Sequence, residues 1–283
     1  MTENKTASRR AAIDIGSNSV RLAMSDGTVR SRITKLANGI AETGALAHDG
    51  FEATLNALEE YAELCRDANT TVFATEAVRR AANGKEFCAA VKARTDFDVA
   101  VLSPEQEARL ALFGAVKPQG AVTVCDLGGG SMELISSRDG VRPDYVKSLP
   151  LGVVVVKNRF DGDYRAAIDT VPTLVAEYGD VPDYPLVVSG GSACAIAACM
   201  LNLPVYDKSA VNGATFSARE LDGFMPMLLR RNLALFRPVC AARADTVPYG
   251  AIIIQALLNH IGAEKFSVSD SGNLDAVLNG FEF

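Results

Sequence analysis

Two short stretches of this chain repeat one pattern of Asp, Gly and Ser. The spacing is the same in both, with Asp14, Gly16 and Ser19 in the first and Asp126, Gly128 and Ser131 in the second. The aspartates at positions 14 and 126 are 112 residues apart, about the length of one small domain. An apolar run precedes each Asp and an alternating stretch follows each Ser, which predicts a strand, a glycine-rich turn and a returning strand. We therefore expect two similar units.

The rest of the sequence alternates between strand and helix patterns, which is typical of α/β domains. Helices are predicted over 51–67, 86–95, 103–115, 164–178, 192–201, 219–232 and 247–261. Strands are predicted over 71–75, 99–102, 145–149, 153–156, 186–188 and 265–269. A chain of 283 residues exceeds the usual size of one core, and the turn-forming residues 117–120 are typical of a boundary. The sequence thus predicts domains over 8–117 and 118–283.

Composition excludes several classes of function. The net charge of −6 and the absence of a long Lys/Arg tract argue against DNA or RNA as a partner. No apolar run reaches the roughly 20 residues that cross a bilayer, and the polar N-terminus does not resemble a signal peptide, so we expect a cytoplasmic protein without a membrane contact. With two histidines and six scattered cysteines, zinc is disfavoured. A metal here would be a hard cation held by carboxylates.

The glycine-rich turns favour phosphate binding. Such turns let backbone N–H groups converge on an anion, and an Asp at a strand end can hold a divalent cation. A plain β-hairpin is the structural alternative for either turn alone. A third turn, Ser189 to Ser192, leads into a helix whose N-terminus would attract an anion, although a tight strand-to-helix connection explains it equally well. No Walker loop is present.

Taken together, these motifs resemble those of the exopolyphosphatase/guanosine pentaphosphate phosphohydrolase (Ppx/GppA) family. The resemblance spans nearly the full chain and is carried by residues 12–19, 74–79, 83–87, 107–110, 126–133, 148–152, 189–192, 243–245, Pro248 and Gly250. It implies an α/β fold of two similar ribonuclease H-like domains of the actin/hexokinase/Hsp70-like ATPase superfamily, with an interdomain cleft. The stretches at 18–19 and 107–110 argue against a sugar or acetate kinase of the same superfamily.

The resemblance also implies a reaction and its residues. Family members release the terminal phosphate of polyphosphate, or the 5′ phosphate of guanosine pentaphosphate, with Mg²⁺. Glu107 matches the glutamate that activates water, and Asp126 and Glu133 match the metal-binding acids. The positions expected to bind phosphate are Asp14, Gly16, Ser17, Asn18, Ser19, Arg79, Gly128, Gly129, Gly130, Ser131, Gly190, Gly191 and Ser192. From the residues alone, other interpretations stay open. Glu107 could be an ordinary acid in the first turn of a helix, and Arg79 and Arg80 could be a solvated pair.

Several positions depart from the family pattern. Pro104 stands where the family has Gly, Gln106 where it has an acid, Met132 where it has Thr, and Glu76 where it has a small hydroxyl residue. These changes leave open a weakly catalytic or non-catalytic sensor that binds guanosine tetra- or pentaphosphate. The chain also stops short of the C-terminal helical domains of longer members and is acidic, so we expect short polyphosphate or a nucleotide as ligand. The resemblance is compatible with a homodimer, which no sequence feature demonstrates.

Overall fold

A computed structural model describes residues 9–115, 120–230 and 243–283. The chain forms two compact units, residues 1–110 with 273–283, and residues 111–272. The predicted ranges 8–117 and 118–283 differ from this division in two places. The division falls after Leu110 rather than at 117–119, which lie outside the described residues, and the C-terminal residues join the first unit. In that unit, Phe283 packs on the buried Phe73, with ring centroids 5.6 Å apart.

The first unit contains a mixed five-stranded sheet. Its strands are β1 (Arg9–Ile15), β2 (Ser19–Met24), β3 (Val29–Ile33), β4 (Ala68–Ala74) and β5 (Val99–Val101), in the order β3-β2-β1-β4-β5. β2 runs antiparallel to β1 and β3, while β1, β4 and β5 are parallel. The alternation after Ser19 buries Val20, Leu22 and Met24, because side chains two apart share a face of the sheet.

Six helices accompany this sheet among the described residues. They are α1 (Ile40–Thr43), α2 (His48–Leu64), α3 (Glu76–Arg80), α4 (Gly84–Thr95), α5 (Pro104–Ala115), which continues into the second unit, and α12 (Asn273–Leu278). The predicted helices over 51–67, 86–95 and 103–115 correspond to α2, α4 and α5. On α2, helical spacing buries Leu55, Leu58 and Tyr61 in the core of the unit.

The second unit repeats the strand order of the first. Its strands are β6 (Val122–Leu127), β7 (Met132–Ser137), β8 (Tyr145–Leu149), β9 (Leu186–Ser189), β10 (Thr215–Ser217) and β11 (Lys265–Ser269), in the order β10-β11-β9-β6-β7-β8. Read from β8, the series β8-β7-β6-β9-β11 has the same order as β3-β2-β1-β4-β5, and β10 is added at the edge. The duplication predicted from the two turns is therefore present in the topology.

The helices of the second unit build its core. They are α6 (Val153–Phe160), α7 (Tyr164–Val175), a 3-10 helix (Ala176–Tyr178), α8 (Gly191–Met200), α9 (Lys208–Val211), α10 (Ala218–Leu229) and α11 (Val247–Ile261). The predicted helix 247–261 is confirmed, and the end of the predicted helix 219–232 lies outside the described residues. None of the described helices is long and apolar enough to cross a membrane.

One predicted strand is wrong. Residues 153–156, four consecutive valines, form the first turn of α6. Valine favours strands because of its branched side chain, but tertiary contacts override that preference. Here the amides of Val153 and Val154 donate to the carbonyls of Gly128 and Gly129 at 3.0 and 2.9 Å, so the start of α6 is fixed by the second glycine-rich turn.

Candidate functional site

The first turn connects β1 to β2 and has its carbonyl groups bound. The Gly16 amide donates to the Ser19 carbonyl at 3.0 Å and closes the turn. The Asn18 carbonyl accepts from two amides, those of Thr34 and Lys35, each at 3.0 Å. The C=O and N–H of a trans peptide point in opposite directions. The Ser19 amide, which shares a peptide with the Asn18 carbonyl, is therefore directed away from the segment that holds that carbonyl.

The second turn, between β6 and β7, closes in the same way. The Gly128 amide donates to the Ser131 carbonyl at 3.0 Å, as Gly16 donates to Ser19. Three successive carbonyls, those of residues 128, 129 and 130, accept hydrogen bonds from amides of residues 152–155 at 2.9 to 3.3 Å. The amides of Gly129, Gly130 and Ser131 belong to the same three peptides, so they point the opposite way. Converging amides of this kind form an anion-binding nest.

Gly152 is essential to this arrangement. A Cβ atom at position 152 would lie 2.2 Å from the carbonyl oxygen of Gly129, far inside contact distance. Only glycine allows the segment before α6 to approach the second turn this closely. Gly152, in the stretch at 148–152 that resembles the family, thus has a direct structural role in holding the turn.

The third turn joins β9 to α8. Gly190 has φ of +105°, and a Cβ there would lie 2.3 Å from the Leu127 carbonyl oxygen, so glycine is required. Beside it, the guanidinium of Arg243 lies directly over Gly191, where a Cβ would come within 1.8 Å of Nη1. Ser192 is buried against Gly250 of α11. The predicted contact of Ser192 with phosphate remains a prediction. In the structure, Ser192 packs between α8 and α11.

Glu107 is held in the first turn of α5 by a capping box. The Ser103 hydroxyl accepts from the Gln106 amide at 3.2 Å, and the Gln106 side chain accepts from the Ser103 amide at 2.9 Å. This reciprocal pair is the expected use of Ser and Gln at a helix start. The departure at Gln106 therefore has a structural function, since an acid and an amide can both fill this position.

Two predicted site residues meet in the first unit. Nη1 of Arg79, at the end of α3, lies 3.1 Å from Oε2 of Glu107. The same nitrogen donates to the Leu102 carbonyl at 2.5 Å. About a third of the Glu107 side chain is exposed, at 32%, so the carboxylate is held in place while remaining accessible.

The surroundings of Glu107 alter its acidity. Burial raises the pKa of the Glu107 carboxyl above its ordinary value, because a charged carboxylate loses hydration. Arg79 opposes this shift by hydrogen bonding and by its charge. The negative charges of Asp14 and Glu76 add to the rise. A carboxyl group whose pKa is raised toward neutrality is suited to accept a proton from water.

Asp14 lies beside the first turn but is already paired. Its side chain is buried and forms an ion pair with the guanidinium of Arg21, its cross-strand partner on β2. This pair offsets the carboxylate charge within the sheet. Arg21 was not among the predicted site residues. Its place directly opposite Asp14 follows from the register of β1 and β2, which the sequence pattern alone does not give.

The two predicted metal-binding acids are neighbours in the second unit. Asp126 on β6 and Glu133 on β7 are direct cross-strand partners. Like charges placed opposite each other destabilise a sheet, and a bound cation would offset this repulsion. No cluster of three or more His, Cys, Asp or Glu suited to a metal occurs among the described residues. Two carboxylates with the remaining positions left to water and phosphate oxygens are a donor set that fits Mg²⁺.

Residues 17–280 match the model of the Ppx/GppA phosphatase family. The chain belongs to this family. Exopolyphosphatase 2 of Mycobacterium tuberculosis is 28% identical over 311 residues, which cover 95% of this chain and 97% of that protein. Guanosine-5′-triphosphate,3′-diphosphate pyrophosphatase of Pseudoalteromonas atlantica is 31% identical over 202 residues, covering 64% of this chain and 40% of that protein.

A solved Ppx/GppA structure agrees with the fold. The crystal structure of the Aquifex aeolicus family member superposes with a TM-score of 0.81 at 31% identity, covering 95% of this chain and 96% of that one. The predicted fold class, two similar ribonuclease H-like α/β domains, is confirmed. The chain is therefore a phosphatase-family protein, and its predicted residues divide between the units. The first unit holds the first turn, Arg79 and Glu107, and the second holds the other two turns, Asp126 and Glu133.

Arg243 of this Ppx/GppA chain is a further candidate site residue, to which the sequence analysis assigned no role. Arg243 places a positive charge at the start of α8, against Gly191 of the third turn. The Arg-Ala-Asp stretch at 243–245 was the available signal. The sequence alone does not distinguish Arg243 from a solvated arginine, whereas the structure places its guanidinium against Gly191.

Proposed function

We propose that this protein is an Mg²⁺-dependent phosphohydrolase that releases the terminal phosphate of short inorganic polyphosphate or the 5′ phosphate of guanosine pentaphosphate. The observation that carries the proposal is the Glu107 carboxylate, held by Arg79 at 3.1 Å and raised in pKa by burial. Membership of the Ppx/GppA family and the names of the two relatives support phosphoanhydride hydrolysis as the reaction.

In the proposed reaction, Glu107 orients a water molecule and takes its proton. The water oxygen forms a bond to the terminal phosphorus, and the bridging P–O bond breaks. The electron pair of that bond leaves with the shortened phosphate chain. Arg79 fixes the carboxylate in place, since its guanidinium contacts both Glu107 and the Leu102 carbonyl. Such a base contributes about 10²- to 10⁴-fold to rate.

The backbone amides of the glycine-rich turns position the phosphate groups in this proposal. Their donors are fixed before substrate arrives, because the turn carbonyls are already hydrogen-bonded on the opposite side. Preorganised donors stabilise developing charge without the cost of reorientation. Asp126 and Glu133 would hold Mg²⁺, which offsets phosphate charge when bound.

Charge favours short substrates. The protein carries a net charge of −6, so a long polyanion meets overall repulsion. Two basic groups near the predicted site residues have carboxylate partners of their own: Arg21 pairs with Asp14, and Arg80 with Glu76. We therefore propose short polyphosphate or a nucleotide polyphosphate.

A non-catalytic sensor of guanosine tetra- or pentaphosphate is the second candidate, motivated by the departures from the family pattern. Two of them have structural explanations. Gln106 caps α5, and Met132 is fully buried in the core of the second unit. Because side chains alternate along a strand, Met132 lies on the opposite face of β7 from Glu133. These observations favour the enzyme.

The test is phosphate release from tripolyphosphate and from guanosine pentaphosphate, each with Mg²⁺ and with the Mg²⁺ removed by a chelator. We expect release from at least one substrate that stops on chelation and returns when Mg²⁺ is restored. Nucleotide binding without release from either substrate would support the sensor instead. Release unaffected by chelation would contradict the role given to Asp126 and Glu133.

A further inference from the structure

A row of four polar side chains crosses the sheet of the second unit. Ser148, Glu133, Asp126 and Ser189 are successive direct partners on β8, β7, β6 and β9. Direct partners project from the same face of a sheet, so the two acids stand side by side with one serine on each outer flank.

Each serine donates a hydrogen bond to the acid beside it. The Ser189 hydroxyl lies 3.0 Å from Oδ1 of Asp126, and the Ser148 hydroxyl lies 2.6 Å from Oε1 of Glu133. Ser189 is buried, whereas Ser148 is exposed. Elsewhere in this sheet, cross-strand hydroxyls pair with each other instead, as Thr123 does with Ser136 and Thr215 with Ser267.

We propose that Ser148 and Ser189 are positioning residues that orient the two carboxylates toward one divalent cation. This inference rests on the proposed function. Two adjacent carboxylates repel each other and would rotate apart in the absence of metal. A hydroxyl donating to one oxygen of each carboxylate restricts that rotation and offsets part of the charge. The acids are then arranged before the cation arrives, as outer hydrogen-bond partners arrange the ligands of metal sites.

The backbone beneath the row is held independently. The buried Tyr178 hydroxyl donates to the Met132 carbonyl, next to Glu133. The Tyr145 hydroxyl, from β8, donates to the Tyr178 carbonyl at 2.7 Å. The strands that carry Glu133 and Ser148 are thus tied to the same 3-10 helix, so the loss of a serine hydroxyl is expected to free a side chain and not to shift a strand.

The experiment measures Mn²⁺ affinity of the full chain by electron paramagnetic resonance, with Mg²⁺ activation of phosphate release beside it. Ser148→Ala and Ser189→Ala are compared with wild type, and Ser148→Thr tests rescue by a retained hydroxyl. Two control variants remove hydroxyl bonds of the same sheet away from the acids: Thr215→Ala, exposed like Ser148, and Ser136→Ala, buried like Ser189.

We expect Ser148→Ala and Ser189→Ala each to weaken Mn²⁺ binding by about tenfold. This is the lower end of the loss in affinity seen when a hydrogen-bond partner of a metal ligand is removed. The Mg²⁺ needed for half-maximal rate should rise, the rate at saturating Mg²⁺ should change little, and the controls should match wild type. If Ser189→Ala does not fold, Ser148→Ala decides, because its site is exposed. Unchanged Mn²⁺ affinity in a folded Ser148→Ala protein would overturn this inference alone. A wild type that neither binds Mn²⁺ nor releases phosphate would overturn the proposed function with it.

Discussion

Nη1 of Arg79 bonds both the Glu107 carboxylate, at 3.1 Å, and the Leu102 carbonyl, at 2.5 Å. One guanidinium thus fixes the acid on α5 relative to the residue that precedes the helix cap. It also counteracts the effect of burial, since its positive charge lowers the pKa of Glu107 while desolvation raises it. The acidity of Glu107 depends on this balance, and removing either contribution should shift the pH dependence of the enzyme in a known direction.

Arg79→Gln should move the acid limb of the pH–rate profile to higher pH. Glu107 must be ionised to accept a proton, and without Arg79 burial raises its pKa further. We also expect kcat/KM at neutral pH to fall. The profile of kcat/KM against pH measures both effects. The matched control is Arg66→Gln, an exposed arginine of the same unit that pairs with Glu63. An unshifted acid limb in Arg79→Gln would contradict a lowering of the Glu107 pKa by Arg79.

Glu76→Gln should move the acid limb of the pH–rate profile to lower pH. The negative charge of Glu76 raises the pKa of Glu107, so its removal should lower that pKa and extend activity to lower pH. Asp14, which acts in the same direction, stays in place. Relative to wild type, the acid limb should therefore lie at lower pH in Glu76→Gln and at higher pH in Arg79→Gln. A shift of both variants in one direction would mean that electrostatics at Glu107 do not set the limb.

Gly152→Ala should destabilise the fold and disturb the second turn. The new methyl group would overlap the Gly129 carbonyl oxygen, which lies 2.2 Å from its position. Forced overlap in a packed region costs about 1–3 kcal/mol of the free energy of unfolding. Urea denaturation measures this loss. Gly223→Ala in α10, where a Cβ meets no atom within 4 Å, is the control and should be neutral or stabilising. Equal stability of the two variants would contradict the requirement for glycine at position 152.

The duplicated turns were predictable because their signal is local. Asp14 and Asp126 each end an apolar run, and glycine with a following serine specifies the turn within a few residues. The start of α5 was predictable for the same reason, since Ser103 and Gln106 are three residues apart. Such features need no knowledge of distant contacts.

Non-local contacts account for what the sequence did not reveal. The valines at 153–156 have strand propensity, but the carbonyls of Gly128 and Gly129 select a helix start. The return of residues 273–283 to the first unit rests on distant contacts, those of α12 with β1 and β2 and that of Phe283 with Phe73. The serine partners of Asp126 and Glu133 depend on strand register, and a shift of one residue would turn these side chains to the other face.

Glu107→Gln tests the central claim most directly. Phosphate release from tripolyphosphate and guanosine pentaphosphate is measured for wild type, for Glu107→Gln and for the exposed control Glu105→Gln, with substrate binding followed by calorimetry. Glutamine keeps the shape of the side chain and can accept a bond from Arg79, but it cannot take a proton from water. We expect Glu107→Gln to lose about 10²- to 10⁴-fold in kcat while still binding substrate, and Glu105→Gln to match wild type. Release by Glu107→Gln at the wild-type rate would contradict the assignment of Glu107 as the base.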